Sequence, residues 1–111
     1  MAGTLKQEAK RLLSNVPEEY VFWGHDGCVL HNLKELGDAM NIMADETYDF
    51  HANAEKNDFA NWVRDIIKDK RLSQDLQKAT GRDQAAQIVT SRISTLDKSF
   101  IPSLKLDSAQ P

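Results

Sequence analysis

One cysteine in 111 residues cannot build a disulfide framework, so packing rather than cross-linking has to hold this chain together. Proline and glycine are scarce as well, at three and five, and no Gly/Ser linker, low-complexity tract or internal repeat divides the chain. The longest apolar run falls far short of the roughly 20 residues that a membrane-spanning helix needs. Nothing has the basic start, apolar run and small-residue cleavage site of a secretion signal. These absences predict a soluble cytoplasmic protein with no membrane partner and no cofactor. Neither sign of charge dominates, at 14 Lys+Arg against 17 Asp+Glu, and 41% hydrophobic residues with a net charge of −3 argue against wholesale disorder. A chain of this length buries roughly two-thirds of what it exposes when unfolded, enough for one core and too little for two domains.

The charge that is present is unevenly placed. Residues 32–58 carry two basic and seven acidic groups, whereas residues 64–105 carry nine basic and five acidic. Two solvated faces that differ in sign would explain this, and so would a charge-complementary contact.

The scarce prolines and glycines act as punctuation. Leu5, Ala9, Leu12 and Leu13 share one stripe of a helix over 5–13, which Pro17 cannot continue. YVFWGHDGCVLH then sets two β-branched and aromatic runs around Asp26-Gly27, the signal of a tight hairpin with a two-residue type I′ turn. Asn32 and Glu35 have capping-box spacing at the head of a helix over 32–43. Tyr48, Phe50 and Ala52 alternate with polar residues, which favours a third strand over 48–52, although Asp45 could equally open a short helix. Asn57 or Asp58 caps the clearest element, a helix over 58–68 in which Phe59, Trp62, Val63, Ile66 and Ile67 follow helical spacing. Leu72, Leu76 and Ala79 mark a short helix before Gly81. Ala86, Val89, Ile93, Leu96 and Phe100 mark a last one, which Pro102 stops. The pattern predicts a predominantly helical α+β fold, with a hairpin or three-stranded antiparallel sheet packed by three or four helices. Its expected organisation is an N-terminal helix or arm over 1–16, one globular domain over 17–101 and a mobile tail over 102–111.

His-Asp-Gly at 25–27, Asn-Leu-Lys-Glu-Leu at 32–36, Phe50-His51, and NDFANWVRD at 57–65 with Asp69 and Leu72 resemble a small prokaryotic domain family of unknown function. The resemblance spans residues 20–80. It implies a shared fold and carries over no catalytic residue.

Three groups of residues bear on chemistry. His25, Cys28 and His31 have the spacing of zinc ligands. In a hairpin with a two-residue turn, His25 faces Cys28, Gly24 faces Val29, Trp23 faces Leu30 and Phe22 faces His31. Alternation then turns His31 away from Cys28, so the spacing carries no complete metal site and leaves His25 and Cys28 as weak candidates. The same pairing could lower the thiol's pKa, yet the sequence marks no oxyanion site, orienting residue or pocket around it. Arg64, Lys68, Lys70, Arg71 and Lys78 could form a basic stripe for nucleic acid, interrupted by Asp65, Asp69 and Asp75. Trp62 lies within a core stripe.

The expected pairing puts Val21, Trp23, Cys28 and Leu30 on one hairpin face and Tyr20, Phe22, Val29 and His31 on the other. Both are apolar and both need cover. The helix over 58–68 covers one; the N-terminal helix, the last helix or another chain covers the other. The leading expectation is therefore a non-enzymatic protein–protein interaction module, self-associating or bound to a different protein, with Tyr20, Phe22, Trp23, Val29 and His31 as contact residues. Nucleic-acid binding through the basic segment 64–82 is the alternative, and metal or thiol chemistry at the hairpin the second. A strand over 48–52 would also bring His51 beside His31, so that one of them titrates below about 6.5 and folding weakens as pH falls.

Overall fold

This computed structural model describes residues 5–100, with side chains described over 7–97. The elements run α1 (Leu5–Leu13), a 3₁₀ turn (Glu18–Tyr20), β1 (Phe22–Trp23), β2 (Val29–Leu30), α2 (Leu33–Ile42), α3 (Asp45–His51), α4 (Asp58–Trp62), α5 (Lys70–Gln77) and α6 (Arg82–Phe100). The fold is α+β and predominantly helical. The tail expected over 102–111 lies outside the described residues.

The long α6 is the spine, with α1 and α2 packed along it. Its Ala85, Ala86, Val89 and Leu96 are buried, as are Ala9 and Leu12 of α1, so the N-terminal helix belongs to the same core as the rest. Helix α2 can approach closely because Gly37 has no side chain. A Cβ there would sit 3.3 Å from Val89 Cγ1. At its start, Asn32 Oδ1 accepts from the Glu35 N–H at 2.8 Å, while the Glu35 carboxylate reaches back to the His31 N–H at 2.7 Å, one residue beyond a standard capping box. Arg82 joins the far end of α2 to the head of α6, donating to the Met40 carbonyl at 2.9 Å and to Asp45 Oδ1 at 2.7 Å.

Asn57 caps α4, its Oδ1 accepting from Ala60 N at 3.0 Å. Phe59, Trp62, Val63 and Ile67 are buried as their spacing requires. The helix widens into a π turn over Val63–Ile67, and the Lys68 and Asp69 amides both donate to the Val63 carbonyl, at 2.7 and 3.1 Å. Lys68 ends it in the left-handed region at φ 72. Asp69, buried, then caps α5 and pairs with Arg92 Nε at 2.8 Å, which ties α5 to α6.

Two expectations need correction. The hairpin pairs Phe22 with Leu30 and Trp23 with Val29, one residue out of the expected register. Its turn holds three residues: the Gly27 N–H donates to the Gly24 carbonyl at 2.9 Å, and the Gly24 N–H to the Cys28 carbonyl at 2.8 Å. Gly27 alone takes a positive φ, 93, whereas a type I′ turn would need one at Asp26 as well. The second correction concerns 48–52, where the residues through His51 belong to α3 rather than to a third strand. Tyr48 and His51, three apart, face inward together while Phe50 stays half exposed, a helical rather than a two-residue period. The sheet therefore has two strands.

Trp62 anchors the hairpin to α4. Its indole N–H donates to the Tyr20 carbonyl at 2.8 Å, and its ring packs edge-on against Phe22 with centroids 5.8 Å apart. Trp62→Ala is expected to cost about 3–5 kcal/mol in a urea denaturation. A loss below about 1 kcal/mol, the range of ordinary surface changes and lone hydrogen bonds, would refute its core role.

Candidate functional site

The shifted register decides what the hairpin offers. Phe22 and Leu30 turn inward; Trp23 and Val29 turn outward, because one residue of slip exchanges the two faces of a strand. Phe22 is only 8% exposed, stacked on Phe59 at 5.1 Å, which removes it from the expected contact residues. Trp23 is 71% exposed, and Val29 beside it is half-buried. Tyr20, 51% exposed, holds α4 through its backbone carbonyl and leaves its ring to solvent. His31 is committed elsewhere, its Nδ1 lying 2.9 Å from Glu35 Oε1 and its Nε2 3.4 Å from Glu18 Oε2.

The expected His25–Cys28 neighbourhood does not form. The His25 ring stacks on Phe50 with centroids 3.9 Å apart, and Cys28 N donates to Asp26 Oδ1 at 3.1 Å. Burial first, then the hydrogen bond and charge of Asp26, push the Cys28 thiol up to about 11. Such a thiol is a poor nucleophile at neutral pH. Among the described residues no three His, Cys, Asp or Glu side chains are grouped to hold a metal.

Periodicity gave no sign of the cluster beneath the hairpin tip. His51, 5% exposed at the end of α3, is ringed by Phe22, Phe50 and Phe59 with centroids 5.0 to 5.2 Å away. Its Nε2 accepts from the His25 backbone N–H at 2.9 Å, and its Nδ1 lies 3.0 Å from Asp58 Oδ2. An acceptor at Nε2 fixes the tautomer: Nδ1 carries the proton and donates it to Asp58. Burial raises the pKa of Asp58, but hydrogen bonds from His51 and Lys56 outweigh it and hold the carboxyl below its usual 3.8. The geometry resembles an Asp–His catalytic pair, yet the nitrogen a general base would use is already bonded to backbone. The pair therefore links the hairpin tip to α3 and α4, with Nε2 occupied by the His25 amide. The sequence singled out Phe50-His51 as an adjacent pair, His51 as a neighbour of His31 and Asp58 as a cap candidate, but nothing joined His51 to Asp58.

The basic residues are spread over several turns. Arg64 is tied to Asp65 at 2.8 Å and Lys68 Nζ donates to the Asp65 carbonyl at 2.8 Å, while Lys70, Arg71 and Lys78 are exposed. An open cleft of about 650 Å³ lies between the α3–α4 connection and the loop before α6, lined by Tyr48, Asn53, Asn57 and Gln77 among others. Two of its asparagines serve the backbone: Asn57 caps α4 and donates to the Leu76 carbonyl, and Asn53 bonds Asp49 and Glu55. In contrast, the four exposed large apolar residues among the described residues, Tyr20, Trp23, Ile42 and Phe50, fall between residues 12 and 55. Over that stretch Lys34 is the single lysine or arginine, against nine carboxylates.

Comparison with known protein families, with curated proteins and with solved structures found no match.

Two titrations test this geometry. His31 should titrate above 6.5, because its hydrogen bond to Glu35, with the charges of Glu35 and Glu18, favours the imidazolium over the desolvation that opposes it. The buried His31–His51 pair expected from a strand over 48–52 gives way to separate partners, Glu35 and Glu18 for His31 and Asp58 for His51. A folded pKa raised above the unfolded value adds stability that is complete below about 6.5 and is lost as pH rises through the folded pKa. Glu35→Gln should bring the His31 titration in an NMR experiment back down; no change would remove Glu35 as the cause. At pH 8, Cys28 in the folded protein should react with a thiol reagent far more slowly than in urea. Equal rates would contradict its raised pKa.

Proposed function

We propose that this protein is a non-enzymatic protein–protein interaction module that docks through the outer face of its hairpin. One observation carries the reading: a tryptophan on the outward face of the hairpin is 71% exposed. Exposed tryptophan is uncommon without a use, and aromatic anchors of this kind dominate binding energy at protein interfaces.

The surroundings select the partner's chemistry. Glu18, Glu19 and Asp26 flank Tyr20 and Trp23 in sequence, and all three are exposed. Carboxylates beside aromatic faces suit lysine and arginine side chains, which gain both a counter-charge and a cation–π contact. They repel the phosphates of nucleic acid. A second copy of the chain supplies such cations in residues 64–82, so self-association is the first case to test. The pair of buried His51 and half-buried Asp58, with its base nitrogen occupied, and the raised Cys28 thiol favour a binding role over a catalytic one.

A pulldown from the native host with wild type, Trp23→Ala and a Lys70→Ala/Arg71→Ala variant, run with and without nuclease, tests the reading. Sedimentation velocity on the same three proteins tests self-association. Trp23→Ala should change stability by less than about 0.5 kcal/mol, as an exposed position does, and should lose the partner or the self-association. Equal capture and equal sedimentation by wild type and Trp23→Ala would overturn the proposal. Capture of nuclease-sensitive RNA or DNA, lost only in the basic variant, would replace it with nucleic-acid binding.

A further inference from the structure

The hairpin tip hangs on one imidazole. His51 uses both ring nitrogens, and each requires a different state: Nε2 must be bare to accept the His25 N–H, and Nδ1 must carry a proton to donate to Asp58. Only the neutral ring with its proton on Nδ1 meets both requirements.

We propose that His51 is a proton-operated latch on the hairpin tip. A proton taken up at Nε2 turns the acceptor of the His25 N–H into a second donor facing it, and the tip leaves the imidazole. The charged neighbours decide which of the two bonds breaks. Asp58 on α4 pairs more strongly with an imidazolium than with a neutral ring, so the His51–Asp58 bond persists and the bond to the tip is lost. Lys56, in the α3–α4 connection, shares Asp58 Oδ2 at 3.0 Å and opposes the new charge. From the hairpin, Asp26 attracts it. The His25 ring, 6.5 Å from His51 by centroids, is a second imidazole that repels it once protonated. Phe22, Phe50 and Phe59 offer the charged ring no hydrogen-bond acceptor, so the new N–H must find water, and the tip stands in its way.

The segment the latch holds is small. Residues 24–28 close on themselves through their own two backbone bonds, and apart from the latch the His25–Phe50 stack and the packing of Cys28 against the core fasten the tip. Release therefore moves the turn and the adjoining Trp23–Val29 pair as a unit without breaking the helical core. The motion stands independently of the interaction reading. Its consequence for binding rests on that reading: acidification loosens the face that carries Trp23 and weakens docking.

Nuclear magnetic resonance on the His25→Phe variant isolates the latch, since phenylalanine keeps the stack on Phe50 and the backbone donor while removing the second imidazole. As the His51 ring takes up its proton, the His25→Phe backbone amide should shift and lose hydrogen-exchange protection by about tenfold, the equivalent of one net hydrogen bond. The Glu35 amide, capped by Asn32, should keep its protection. Asp58→Asn should move the opening to lower pH, because the carboxylate that favours the imidazolium is gone. His51→Gln should hold the tip closed throughout, its amide accepting and donating without titrating. Unchanged protection at residue 25 while His51 becomes protonated would overturn the latch, as would global unfolding before His51 takes up a proton. Should His51→Gln fail to fold, Asp58→Asn decides alone, and an unmoved midpoint refutes the proposal. Loss of the partner on Trp23→Ala bears on the docking reading and leaves the latch untouched, so the two can fail separately.

Discussion

The register of a two-residue strand pair governs much of what this molecule presents to its surroundings. Gly27 at φ 93 closes a three-residue turn, and that turn sends Phe22 and Leu30 inward. With Phe22 inside, an aromatic seam forms from the hairpin through His51 and Phe59 to Trp62. Slip by one residue would bury Trp23 in place of Phe22 and leave a different ring against Phe59. It would also carry the His25 amide away from His51. A single backbone choice at a glycine thus sets the packing partner of α4, the exposure of Trp23 and the tethering of the tip.

Elements with a full helical stripe were legible because burial itself writes the period. Phe59, Trp62, Val63 and Ile67 are buried at the positions their spacing named, and Leu72, Leu76, Ala86, Val89 and Leu96 follow the same rule. Caps were legible for a local reason: Asn32 and Asn57 bond amides three residues onward, a relation contained in the sequence. The hairpin register was not legible, since an Asp-Gly pair suits both a two-residue turn and the end of a three-residue one. Nor was α3. Seven residues give two helical turns, too few to separate Tyr48–His51 spacing from the Tyr48–Phe50–Ala52 alternation, and tertiary burial of His51 decided between them. The candidate site inherits those two errors. Of the residues named for contact, Trp23 and Tyr20 are exposed and Phe22 is buried, and the His51–Asp58 pair was hidden because its members meet only once α3 is helical.

Charge segregation acquires a meaning here that composition alone did not supply. The acidic stretch that contains the hairpin and α3 also holds the exposed apolar side chains, whereas the cations of 64–82 are partly spent within their own segment. Arg64 lies on Asp65, and farther along α6 Arg92 lies on Asp69. Apolar surface flanked by carboxylates favours association with cations over random self-adhesion, because like charge keeps two such faces apart. A contact between copies would therefore join the hairpin of one to the basic segment of the other rather than hairpin to hairpin. That arrangement is heterologous, so its stoichiometry depends on whether the rotation closes into a ring.

Unequal attachment follows from the same structure. Helices α1, α2 and α6 bury aliphatic side chains along their whole contact, and the buried side-chain polar atoms among the described residues all have partners. Opening there exposes much apolar surface and breaks many bonds together. The hairpin tip is held by one backbone-to-imidazole bond, one ring stack and the packing of the partly buried Cys28. Local opening free energies scale with the surface and bonds lost, so the tip is the segment free to open while the core stays folded. Trp62 marks the boundary between the two regimes, its indole fixing the Tyr20 carbonyl just before β1. Motion that begins at Gly24 can reach Trp23 and stop at Phe22, which packs against three rings, those of His51, Phe59 and Trp62.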